Sequence, residues 1–117
     1  MNQLALPVDE KRLESPEGLM QAALAWITEN PEAWSAIVGA AQRDALDGGR
    51  VRVKLYAEYL RLRSDVSPAT RRVKFPNALT PAFGRVLRAW HPEIPAKCIP
   101  LKPSKLDGVV IPPRSYQ

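Results

Sequence analysis

The sequence predicts a mainly α protein: four helices, one or two short strands, and an extended, proline-rich, basic arm at the C-terminus. Three observations lead there. Helix-start signals recur at Ser15-Pro16-Glu17, Asn30-Pro31-Glu32 and Thr80-Pro81, each with a capping side chain ahead of a proline. Proline's fixed φ suits a first helical turn. Behind each start, apolar residues return at the three-and-four spacing of one helix face. Six of the twelve prolines lie between Pro92 and Pro113, where helices cannot run on and a central strand would lose ladder donors.

The first helix runs from the Ser15 signal to about Glu29, with Glu17 near the positive end of its dipole. Leu19, Met20, Ala23, Leu24, Trp26 and Ile27 give it a wide apolar stripe. Asn30 opens the second helix, where Trp34, Ile37, Val38, Ala41 and Ala45 share one face. Asp47-Gly48-Gly49 ends it.

A third helix fits Val51 to Arg63. Val53, Tyr56, Ala57 and Leu60 make one stripe, and Leu55, Tyr59 and Leu62 a second on nearly the opposite side. A helix apolar on two sides is either sandwiched in a core or placed at a subunit contact, so residues 51–63 are the candidate homodimer surface. On one flank Glu58 stands between Lys54 and Arg61 at helical spacing, which partly neutralises it.

Arg71-Arg72-Val73-Lys74-Phe75 alternates and predicts a short strand closed by Pro76-Asn77. The fourth helix follows from Thr80-Pro81 to about His91. Phe83, Val86, Leu87 and Trp90 share its apolar face, while Arg85 and Arg88 project from the other side and are expected in solvent. Pro92 stops it. The last 25 or so residues read as an arm with one hairpin at Asp107-Gly108. The chain then divides into a tail (1–14), a helical domain (15–95) and the arm (96–117).

Charge is the strongest functional signal. Residues 1–49 carry −5 and residues 50–117 carry +10, which together make the net +5. A small domain with so cationic a second half meets a polyanion, because each neutralised phosphate releases condensed counterions. Two helices, a strand between them and a basic extension suggest a winged-helix-like arrangement. In it Arg85 and Arg88 face duplex DNA, Arg71, Arg72 and Lys74 touch phosphates, and Lys97, Lys102 and Lys105 add contacts from the arm. Trp90, Tyr56 and Phe83 lie on apolar stripes and read as core, not as stacking platforms.

Catalysis has little support. His91 is the only histidine and Cys98 the only thiol, too few for a nucleophile–base arrangement placed by sequence pattern. His91 suits the negative end of the fourth helix instead. No Gly-rich phosphate loop and no metal-ligand spacing is present. The expectation is a non-enzymatic protein without metal or cofactor. A lone cysteine, a start without a cationic lead and the lack of a long apolar run point to the reducing cytoplasm, with no membrane contact.

Ahead of the first helix, Gln3-Leu4-Ala5-Leu6-Pro7-Val8 resembles the short peptide by which bacterial replication proteins dock on the sliding clamp. In such peptides the glutamine (here Gln3) supplies polar contacts, while the apolar side chains (here Leu4, Leu6 and Val8) fill a pocket. The resemblance implies the clamp as partner and a link to replication.

A wider likeness covers residues 26–93. Asn30-Pro31-Glu32-Ala33-Trp34, Gly49-Arg50-Val51-Arg52-Val53-Lys54, Val73-Lys74-Phe75-Pro76-Asn77, Pro81-Ala82-Phe83-Gly84-Arg85 and His91-Pro92-Glu93 occur in an order similar to a group of small phage- and prophage-encoded proteins. That likeness implies origin, not mechanism. The chain departs from the group's usual Phe-x-x-Arg ending, with Lys97-Cys98-Ile99-Pro100-Leu101 there instead. The expected function is DNA binding in a phage setting, linked to replication through the clamp. The alternative is a small protein-binding module that inhibits or redirects a host protein.

Overall fold

The computed structural model describes residues 15–114, and its architecture is helical. Five α-helices are present among these residues: α1 (Pro16–Glu29), α2 (Pro31–Leu46), α3 (Val53–Tyr59), α4 (Pro68–Arg71) and α5 (Thr80–Trp90). Short 3₁₀ turns at Leu60–Leu62, Asn77–Leu79 and Ala96–Cys98 link or follow them.

Local chemistry explains the boundaries. The Ser15 hydroxyl accepts from the Gly18 N–H at 2.9 Å and starts α1. Asn30 joins α1 to α2 with no intervening loop. Its side-chain amide donates to Trp26 O at 2.9 Å, and its backbone N–H to the last carbonyls of α1. Gly48 ends α2 in the left-handed region, at φ +71, which a side chain would resist. α3 tightens into a 3₁₀ turn at Leu60, so the regular helix is shorter than the periodicity predicts.

The alternating stretch 71–75 is not a strand. Ser67-Pro68 is a fourth helix start: the Ser67 hydroxyl accepts from the Thr70 N–H at 3.2 Å, and α4 extends to Arg71. Arg72 turns the chain out of α4, residues 73–76 follow without a ladder partner, and no strand occurs among the described residues. Side chains anchor them instead. Trp26 Nε1 donates to Lys74 O at 3.2 Å, and the Phe75 ring packs 5.5 Å from Trp26 and 5.2 Å from Phe83. The winged-helix expectation fails with the strand.

The core lies where α1, α2 and α5 meet. Trp34, Phe83, Ile37, Leu87, Val86 and Met20 are its largest fully buried side chains. Tyr56 and Phe83 are core as expected, and Trp90 is half-buried.

The C-terminal residues form a strap, not a projecting arm. Ile94, Cys98, Ile99 and Leu106 are buried in the same core as the helices. Val51 N–H donates to Cys98 O at 2.8 Å, and Trp90 Nε1 to Pro112 O at 2.7 Å. Asp107-Gly108 makes a turn, with Gly108 at φ +87, but no hairpin. Residues 96–112 therefore belong to the packed unit formed by the helices. The physical reason is the proline content. Each proline presents a carbonyl without an N–H, so the strap offers acceptors that side-chain donors on α5 satisfy.

Candidate nucleic-acid interface

Those donors include the two arginines expected in solvent. Arg85 is only 8% exposed. Its guanidinium donates to Pro81 O at 2.9 Å, Lys102 O at 3.0 Å and the Asp107 carboxylate at 2.7 Å. A guanidinium tolerates such burial when carbonyls and a carboxylate take its N–H groups. Arg88 is exposed, but its guanidinium donates to Ile99 O at 3.1 and 2.7 Å and to Ala96 O at 3.1 Å. The expectation of solvent exposure is overturned for Arg85, while Arg88 stays exposed with its guanidinium engaged by strap carbonyls: the polar side of α5 is the seat of the strap.

His91, at the end of α5, is buried too. Its backbone N–H donates to Leu87 O at 2.9 Å, and its Nδ1 lies 3.1 Å from a Glu93 oxygen. Burial acts to raise the Glu93 carboxyl, but hydrogen bonds from Gln42, its own backbone and His91 outweigh it and hold that group low. No three His, Cys, Asp or Glu side chains converge among the described residues.

The remaining basic residues sort by place. Arg71 donates to Arg63 O at 3.2 Å and is half-buried. Arg63 itself is paired with Asp65, whose carboxyl that bond holds low. Lys97, Lys102 and Lys105 are exposed at separate points of the strap. Arg72 and Lys74 are exposed and come together with Arg61, from the turn after α3, in one groove of about 360 Å³. Ala57, Val73, Phe75 and Asn77 complete its walls, and Glu58 is the one acid lining it. Two of the expected residues, Arg72 and Lys74, thus share one groove with a third exposed cation, Arg61.

Two anchors fix the groove. The Trp26 bond to Lys74 O and the buried edge of Phe75 hold one wall. The Glu32 carboxylate holds α4 by accepting from the Thr70 hydroxyl at 2.6 Å and the Ser67 hydroxyl at 2.7 Å. Those two bonds, Thr70's first, keep the Glu32 carboxyl below its ordinary range. Sequence reading passed over Arg61, because Glu58 one turn earlier reads as its neutralising neighbour. Only the fold brings Arg72 and Lys74 opposite it.

Gln3, Leu4, Leu6 and Val8 lie outside the described residues. No helix among the described residues is long and apolar enough to cross a membrane. Compared with protein-family models, with curated proteins and with solved structures, the chain matches none.

Proposed function

We propose that this protein binds duplex DNA without enzymatic chemistry, seating backbone phosphates in the groove of Arg61, Arg72 and Lys74. The observation that carries the reading is the convergence of three exposed cations with a single carboxylate on an anchored segment. The anchored backbone keeps the three cations close together, and counterion release on meeting phosphates supplies the free energy. Its setting is read from sequence likeness: a phage- or prophage-encoded protein in the bacterial cytoplasm, joined to replication by docking Gln3–Val8 on the sliding clamp.

Fluorescence polarisation with a labelled duplex and its single strand, across a salt series, tests this. Binding that weakens steeply with salt and is lost in Arg61→Glu with Lys74→Glu supports it. Binding unchanged in that variant, or absent at low salt, refutes it.

One observation favours a second reading, a protein-binding module. Tyr59, at the end of α3, is 53% exposed and Leu62, in the turn after it, 81%, while Leu55 of the same apolar side is half-buried. Sedimentation across a concentration series separates self-association through this face from a monomer that docks on another protein.

A further inference from the structure

A second pocket, of about 390 Å³, lies between the start of α5, residues 50–53 and the strap. Its floor is aliphatic. Val51, Val53 and Ile99 are buried there, and half-buried Leu101 closes one side. Leu101 packs directly over Gly84, where a Cβ would stand 2.8 Å from Leu101 Cδ2 and displace that side chain. The rim is cationic. Arg50 and Lys102 are exposed on it, and neither forms an ion pair with a described residue. Arg85 reaches the wall, with its charge answered by Asp107, which is not among the lining residues. No carboxylate lines the pocket.

An aliphatic floor under uncompensated positive charge is complementary to a molecule with an apolar body and one anionic end. Its volume falls within the range of small-molecule sites, roughly 300–1,000 Å³. We propose that this pocket binds a small aliphatic carboxylate, its chain against Val51, Val53, Ile99 and Leu101 and its carboxylate between Arg50 and Lys102. The chain removes the floor from water, while the carboxylate gains two charge-assisted partners at the mouth. This site is separate from the Arg61–Lys74 groove and does not rest on the nucleic-acid reading.

The test is amide NMR of the full chain titrated with decanoate, decanol, decylamine and inorganic phosphate at constant ionic strength. Decanoate should shift Gly84, Val53 and Leu101 and leave Gly39, in a different groove, in place. Decanol and phosphate should each bind more weakly, since each lacks one half of the match, and decylamine weakest. Arg50→Glu with Lys102→Glu should weaken decanoate at least about tenfold. Arg61→Glu with Lys74→Glu should leave it unchanged. All four positions are exposed surface cations, and an unshifted Gly39 amide confirms that each variant folds. Decanol binding as tightly as decanoate, phosphate shifting the same amides as strongly, no shift at Gly84, or indifference to the Arg50/Lys102 reversal would each overturn the proposal.

Discussion

Arg85 and Asp107 form an ion pair at 2.7 Å that ties the middle of α5 to a turn 22 residues further along the chain. The second carboxylate oxygen of Asp107 accepts from the Ser104 N–H at 3.1 Å. One acidic side chain thus closes the strap's turn and fastens it to the helix. Most of the stabilisation should come from the arginine side, since Arg85 is buried and Asp107 is exposed.

Arg85→Met should therefore destabilise the fold by about 2 kcal/mol, because the carbonyls of Pro81 and Lys102 lose a charged donor. Urea unfolding measures this directly. Labelling of Cys98, a strap residue only 3% exposed, should quicken in the variant. Unchanged stability and labelling would show that the strap is held by its apolar contacts alone.

Acid should weaken the same attachment. The Arg85 bond first, then the Ser104 N–H, hold the Asp107 carboxyl below the usual carboxylate range against the opposing effect of burial. A depressed folded-state pKa contributes stability that is full above the unfolded value and is lost as pH falls through the folded one. Stability should thus decline on acidification below about pH 4, and Asp107→Asn should flatten part of that decline. Glu32 shifts in the same direction, so some acid dependence should survive in the variant. Urea midpoints at a series of acidic pH values decide the matter.

Tyr56 gives the opposite limb. Burial first, then its hydrogen bond to the Asp44 carboxylate, push its phenol up to about 12. A raised folded-state pKa means stability present below the unfolded value and lost as pH rises through the folded one. An ultraviolet titration should show one tyrosine ionising near pH 12, absent in Tyr56→Phe. That substitution should cost about 1 kcal/mol at neutral pH, with Asp44 left to water.

For DNA, single replacements of Arg61, Arg72 or Lys74 by alanine should each lower the salt slope by about one unit. Arg85→Met should leave the slope unchanged, since its guanidinium is engaged inside the fold. A slope that falls with Arg85 and ignores Arg61 would return the contact surface to α5.

The helices were legible wherever their causes are local. Ser15-Pro16 starts α1 with the predicted side-chain cap, and Gly48 ends α2 in the conformation it permits. Pro31 opens α2 where expected, but the Asn30 side chain turns back to Trp26 O instead of capping it, and Leu79, not Thr80, precedes α5. The same signal at Ser67-Pro68 was overshadowed by the alternation after it, which suggested a strand. An alternating pattern supplies a strand's faces but not its partner, and here the neighbouring backbone is absent while Trp26 and Phe83 take the contact. Two of the candidate groove's three cations, Arg72 and Lys74, could be read from charge. Arg61 could not, because its place opposite them depends on how α3 packs.

The sequence by itself determined the mainly helical class, the positions of the major helices and the basic character of residues 50–117. Each depends on residues within a turn or two of one another, or on composition alone. The tertiary structure decided where Arg85 and Arg88 point their charge and where the proline-rich end lies. A helix's own periodicity defines which side faces away from its apolar stripe, but not what covers that side. Here a segment rich in carbonyls that lack a neighbouring N–H covers it, and the two guanidinium groups complete its hydrogen bonds.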